Sequence, residues 1–346
     1  MAPKYAKDQP AGFTNRIERV AIVGVGGQVG TYLTAALLAS GKHTVTAITR
    51  ADSSSSPPSG CKVATVDYDK EETLVDALRG QQFLIISMSV RAPRDTQSRI
   101  IAAAAKAGVP WVMPNCYGTD VQNKPLEAEN LTGPAVLGGI EAIEKGGVSS
   151  WVALCCNFWY EYSLSGAGGG FYGFEFKDKK VTFIDDGNTR INTSTWEQCG
   201  HAIKNFLSLK ELPDNEHDTS PSISQWRNKP LYISSFVASQ RDMLDSVHRV
   251  AGSTDADWKI EREGSTARYQ RGLGLLKQGS QLGFSICLYT RTFYPNGDGN
   301  FEAKYGLAND VLGLPKENID DATKRAIARV NQEPERTHAE LIALYK

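Results

Sequence analysis

The stretch that most constrains this 346-residue chain is RVAIVGVGGQVGTYL, residues 19–33. An apolar run ends in a cluster of glycines, and a helical pattern begins directly after it. The spacing Gly24-x-x-Gly27-x-x-Gly30 is complete, whereas the commoner G-x-G-x-x-G fails because its last position is Val29. A strand that enters a helix through such a turn aims backbone N–H groups and the positive end of the helix dipole at one point, where a pyrophosphate can bind. Glycine is needed because a β-carbon would obstruct the turn, the phosphates or the helix–strand contact. Gly24, Gly26, Gly27, Gln28, Val29 and Gly30 are the expected phosphate-side residues of a dinucleotide site. A flexible loop that binds nothing is the competing reading.

The chain continues as an alternation. HTVTAITR, KVATVDYD, QFLIISMS, VPWVMPN and SSWVALCCNF read as further strands, separated by helical patterns that close at Gly41, Gly80, Gly108 and Gly147. Short apolar strands separated by helices imply parallel pairing through right-handed crossovers. The expected fold is α/β, a Rossmann-like doubly wound parallel sheet with a smaller C-terminal α+β lobe. The expected division is residues 1–160 for the dinucleotide domain (a polar arm over 1–18) and 161–346 mainly for a substrate lobe, some of whose elements return to the first domain. The glycine-rich SLSGAGGGFYGF is expected to be a mobile loop, and TWEQCGHAIKNFLSL an amphipathic helix.

Charge and cysteine usage exclude several classes. Lys plus Arg number 38 and Asp plus Glu 39, a net charge of −1, so no nucleic-acid partner is expected. The six cysteines form no C-x-x-C pair, and His201 and His248 stand at no metal-ligand spacing, so no metal is expected. The polar N-terminus has no apolar signal core and no run suits a membrane span, which makes a cytoplasmic protein the expectation.

The second strand discriminates between cofactors. It ends in Thr49-Arg50, followed by Asp52 and the serines 53–56. An acidic residue there would accept hydrogen bonds from a ribose, whereas a guanidinium can pair with a 2′-phosphate, so NADP(H) is preferred over NAD. Asp52 weighs against this, since it could pair with Arg50 or repel the phosphate. Asp67 is the expected neighbour of the adenine. Ser87, Met88 and Ser89 end the fourth strand, where the nicotinamide half should run.

These pieces together resemble the NmrA-like, isoflavone-reductase-like branch of the atypical short-chain dehydrogenases, in its fungal subgroup. GVGGQVG, the Thr49-Arg50 pair, DYDKEETLVDALRG, IIAAAAKAGVPWVMPNCYG, IEAIEKGGVSSWVALCCNFWYEY and LYISSFVASQRDMLDSVHRVAG carry the resemblance. It implies an NADP-binding domain and a small lobe closing over an aromatic or polycyclic substrate, in a monomer or homodimer. It also implies that Pro114, Asn115, Asn157 and Phe158 flank the nicotinamide. The family's lysine, however, falls at about Val136, and no Tyr-x-x-x-Lys is present.

An acid other than that lysine, or an already activated substrate such as a conjugated iminium, must then be found. Tyr117 and Tyr160 are the candidate catalytic groups, with packing aromatics as the alternative reading. Cys116, Tyr117, Trp159, Tyr160 and Tyr162 are the candidate substrate wall, and Glu161 is either a base or a surface carboxylate. The function expected is an NADPH-dependent reductase of an aromatic, polyketide or indole-alkaloid intermediate of fungal secondary metabolism, with reduction coupled to a cyclisation or rearrangement as a variant. A non-catalytic NADP(H)-sensing regulator is the alternative.

Overall fold

A computed structural model describes residues 4–53, 56–89, 92–93 and 95–346. The first half alternates as β1 (Arg19–Val23), α1 (Gln28–Ser40), β2 (Thr44–Arg50), β3 (Lys62–Val66), α2 (Glu71–Leu78), β4 (Phe83–Ile86), α3 (Thr96–Ala107), β5 (Trp111–Met113), α4 (Lys124–Glu129), α5 (Gly133–Gly146) and β6 (Ser150–Cys155). The second half holds β7 (Phe158–Trp159), α6 (Tyr160–Leu164), β8 (Phe174–Glu175), β9 (Lys180–Ile184), β10 (Ile191–Ser194), α7 (Trp196–Leu207), β11 (Lys229–Tyr232), β12 (Phe236–Ala238), α8 (Gln240–Ala251) and β13 (Lys259–Glu263). The helices α9 (Ser265–Lys277), α10 (Gln281–Thr292), α11 (Glu302–Tyr305), α12 (Ile319–Val330) and α13 (His338–Leu344) complete it.

One seven-stranded sheet has the order β11-β6-β5-β4-β1-β2-β3, and its pairings are parallel throughout. Apart from β11 this is the doubly wound order, with its switch point between β1 and β4. The central strands are apolar on both faces because both faces are covered. On one face Leu33 and Leu37 of α1 and Cys199, Ile203 and Phe206 of α7 pack over β1, β4, β5 and β6. On the other, Leu74, Ile100, Ala104 and Ile143 of α2, α3 and α5 close a second core.

The later residues also build two three-stranded sheets, β12-β10-β7 and β13-β9-β8. Around them lies a third core, with Phe158, Tyr160, Tyr172, Phe174, Phe183 and Met243. The glycine-rich segment, expected as a mobile loop, contributes Tyr172, which is 0% exposed, and Phe174 to that core. Aromatic burial anchors it in spite of its glycines. SSWVALCCNF is not one strand: Asn157, at φ 53°, breaks it, and Phe158 leaves the large sheet to pair with Thr193 of β10.

Candidate active site at the carboxyl edge of the sheet

The glycine turn is fixed by backbone sterics. Gly24 has φ +84°, and a β-carbon there would sit 1.7 Å from the Ser87 carbonyl oxygen. One on Gly30 would sit 2.0 Å from the Gly24 carbonyl oxygen. Gly27 is less confined, at 3.2 Å from that same oxygen. Gly24 and Gly30 thus shape the turn, while Gly27 caps α1 in extended conformation, with no side chain bonded to the helix start. The N–H groups that open α1 are left for a ligand. Gly26, Gly27 and Gln28 are exposed, and Val29 and Gly30 are buried beneath them. A cradle that β-carbons would fill, at an uncapped helix N-terminus, fits a pyrophosphate.

The neighbouring strand ends form the rest of the edge. The Ser87 N–H donates to the Val23 carbonyl at 2.9 Å, which carries the β1–β4 pairing one residue beyond β4. The Asn115 side chain accepts from Met88 N–H at 2.9 Å and donates to the Met88 carbonyl at 3.1 Å. It therefore fastens the β5 loop to the end of β4 as a paired strand would. Asn115 N–H donates to Gln97 Oε1 at 2.7 Å, and Gln97 Nε2 donates to the Ala135 carbonyl at 3.3 Å. Gln97 holds the β5 loop against the start of α5, beside Val136. Nothing in the sequence pattern marks Gln97, because an amphipathic helix places such residues on its surface face.

Asn157 closes the edge. Its N–H donates to the Gly118 carbonyl at 2.8 Å and its Nδ2 to the Gly299 carbonyl at 3.2 Å. Its Oδ1 is buried with no partner. Buried acceptors are nearly always satisfied, so this one marks a place for a ligand donor or a water. Pro114 and Phe158 are buried, and the Phe158 ring stacks on Tyr289 with centroids 3.9 Å apart. Phe158 therefore turns its ring into the third core while its backbone pairs with Thr193 of β10.

At the adenosine side, Arg50 is exposed at the end of β2, with Nε 3.5 Å from Asp52 Oδ1. The pair is solvated and weak, so the guanidinium can turn toward a phosphate. Ser54 and Ser55 lie outside the described residues. Asp67 accepts from Asp69 N–H at 3.0 Å and pairs with Lys70 at 3.1 Å. That backbone bond first, then Lys70, holds its carboxyl below the usual range.

The candidate acids are both tied down. Tyr117 donates its hydroxyl to the Ile86 carbonyl at 3.0 Å, and burial pushes its phenol well above the ordinary value. The expectation for Tyr160 is corrected. It is 0% exposed, its hydroxyl meets Thr323 Oγ1 at 2.8 Å, and its ring lies in the third core. Its hydroxyl thus sits beside α12, where Thr323 also bonds Ser246 of α8. Cys116 is likewise buried, against the second core.

Trp159 and Tyr162 do lie together, with centroids 6.3 Å apart. Trp196 joins them at 6.1 and 6.3 Å and stacks on Tyr32 of α1 at 5.6 Å. Trp159 and Tyr162 remain partly exposed. The indole N–H groups of Trp159 and Trp196 are buried without partners. Tyr32 and Trp196 are residues that sequence reasoning missed, since they are 164 positions apart and only the α1–α7 packing joins them. Among the described residues no cluster of three or more His, Cys, Asp or Glu could hold a metal, and no helix is long and apolar enough to cross a membrane.

Comparison with known proteins agrees with this fold. Residues 17–131 match the NmrA-like family. The oxidoreductase aprR of Aspergillus flavus is 27% identical over 308 residues, covering 88% of this chain and 96% of that protein. The crystal structure of isoflavone reductase matches with TM-score 0.68 and 19% identity over 91% of this chain and 99% of that one. An NADPH-dependent quinone oxidoreductase from Escherichia coli, in complex with NADPH, matches at TM-score 0.63 and 17% identity over 89% and 99%.

Proposed function

We propose that this chain, which matches the NmrA-like family over residues 17–131 and shares the isoflavone reductase fold, is an NADPH-dependent oxidoreductase acting on an aromatic or polycyclic small molecule. The observation that carries the reading is the glycine cradle at the start of α1, where β-carbons on Gly24 and Gly30 would strike backbone. In this reading residues 1–160 bind the cofactor and residues 161–346 mainly serve the substrate. The α1 N–H groups hold the pyrophosphate, Arg50 takes the 2′-phosphate, and Ser87 to Ser89, Asn115 and Asn157 line the nicotinamide half.

A nicotinamide, when bound, supplies the hydride. The chain's part is to position it and to govern the proton. Position 136 is Val, the Tyr117 hydroxyl is spent on Ile86, and Tyr160 is sealed in the third core. The residues expected to act as acids therefore offer no free proton at the edge. That favours a substrate already electrophilic, such as a conjugated iminium, which needs no proton to accept a hydride. Trp159 and Tyr162 suit the flat face of such a molecule, and Trp196 backs them. An aromatic, polyketide or indole-alkaloid intermediate of fungal secondary metabolism meets this description, and reduction could there trigger a cyclisation.

The same tied-down acids favour a second reading, a regulator that senses NADP(H) without turnover. NADPH oxidation measured against a panel of cyclic iminium ions and enones separates the two. Turnover of iminium ions in preference to simple ketones supports the reductase. Tight NADPH binding with no turnover across the panel supports the sensor, and no NADPH binding at all removes both.

A further inference from the structure

The cofactor helix α1 is held from outside by residues late in the chain. Leu341 and Tyr345 are 2% and 1% exposed and pack against Ala35 and Ala36 of α1. The Tyr345 ring fills a notch at Gly200 of α7, where a β-carbon would lie 2.1 Å from the phenol oxygen. The Tyr345 hydroxyl donates to the Glu197 carbonyl at 3.2 Å, and Lys204 Nζ donates to the Tyr345 carbonyl. Arg336 pairs with the Glu197 side chain.

The same segment reaches the substrate edge through Arg325 of α12. Its guanidinium meets Glu161 Oε1 at 3.0 Å, Glu197 Oε1 at 3.7 Å and Glu317 Oε1 at 3.8 Å. Glu161 directly precedes the partly exposed wall member Tyr162 in sequence, and it is 2% exposed. Glu317 in turn accepts from Thr195 at 2.8 Å and from Ser235. One turn further along α12, Arg329 sits 4.8 Å from the Trp196 ring, the ring that stacks on Tyr32 of α1. Three carboxylates thus converge on one guanidinium, and each comes from a different part of the fold: α6, α7 and the approach to α12. Removing that guanidinium would leave the buried Glu161 without its cation, while Glu197 keeps Arg336 and Glu317 keeps its hydroxyl donors, so the cost falls on Glu161.

We propose that residues 317–345 form a clasp that couples the substrate edge to the cofactor helix, with Arg325 as its positioning residue. Arg325 touches neither cofactor nor substrate. It holds Glu161, and with it the aromatic wall, in register with α7, while Tyr345 and Leu341 hold α7 against α1. Loosening the clasp at Arg325 should be felt at α1, where the phosphates are expected. This rests on the reductase reading only through the ligand used as probe.

The test compares the full-length wild type with Arg325→Met and Arg325→Lys. Hydrogen exchange is followed without ligand across residues 28–40, and NADPH affinity is measured by fluorescence titration. The clasp predicts faster exchange in α1 for Arg325→Met, with α3 unchanged, and an NADPH Kd raised about tenfold, roughly 1.4 kcal/mol. Arg325→Lys should recover much of both, since a cation is restored. Unchanged exchange in α1 overturns the clasp, as does faster exchange spread equally over α1 and α3. If the wild type binds no NADPH, the functional reading fails and the exchange experiment alone decides the clasp. Should Arg325→Met not fold, Tyr345→Ala is read by the same exchange criterion.

Discussion

The glycine turn after β1 and the aromatic segment after β6 lie on the same edge of the same sheet, yet they are built by different means. The turn is a backbone object: two glycines pass within contact of the Ser87 and Gly24 carbonyls, and no side chain caps α1. The aromatic segment is a side-chain object, divided between two environments. Tyr160 faces inward to Thr323, while Trp159 and Tyr162 gather around Trp196. A backbone site tolerates almost no substitution and is visible in a pattern of glycines. A side-chain site is defined by which way each residue turns, and adjacent residues on a short helix turn in different directions.

The largest effect that would sharpen this contrast is at the turn. Gly30→Val should destabilise the protein by about 3 kcal/mol or more through the clash with the Gly24 carbonyl, and abolish NADPH binding. Gly27→Ala should leave the unliganded fold nearly intact. Denaturant unfolding of both variants checks this, and equal destabilisation would show that the turn is not shaped as described.

The next effect belongs to the aromatic side. Burial pushes the Glu161 carboxyl up to about 7, opposed by Arg325, and Glu317 adds to the rise. Arg325, Glu317, Tyr32, Tyr160, Tyr172 and Cys199 are the charged or titratable groups around it, with Glu197 reached through Arg325. Because its folded value lies above the unfolded value, the fold favours the protonated form. Stability from this group is fully present below about pH 4.5 and is lost as pH rises through 7, by at most about 3 kcal/mol. Glu161→Gln should flatten that slope. Glu127, pushed up to about 6 by burial, leaves a residual slope of the same sign. A slope unchanged in Glu161→Gln would place the titration elsewhere.

A smaller effect concerns cofactor choice. Arg50→Ala should weaken NADPH about tenfold, roughly 1.4 kcal/mol, and leave NADH nearly unaffected. Equal loss for both cofactors removes the 2′-phosphate role. The smallest tests the inward side of the aromatic segment. Tyr160→Phe should cost about 1 kcal/mol of stability through its lost bond to Thr323, with turnover unchanged. A loss of turnover at constant stability would return Tyr160 to the chemistry.

Much of the first half was legible before any coordinates. Strand and helix periods, the glycine spacing and the order of elements led to the doubly wound sheet, because parallel strands buried on both faces leave an apolar signature and crossover rules allow few arrangements. What stayed hidden depends on partners far away in the chain. Asn115 pairs with Met88, Gln97 braces Asn115, and Tyr117 spends its hydroxyl on Ile86. None of these bonds has a local pattern, since each joins residues brought together only when the strands align.

By itself, then, the sequence determined where the chain must turn and where phosphates could be met, because excluded volume at a β-carbon is a local matter. Only the tertiary structure decided which tyrosines are spent on packing, which indoles keep free N–H groups, and that Arg325 gathers Glu161, Glu197 and Glu317. Burial and hydrogen-bond partnership are properties of the assembled fold, and they decide whether the same residue type serves as wall, strut or acid.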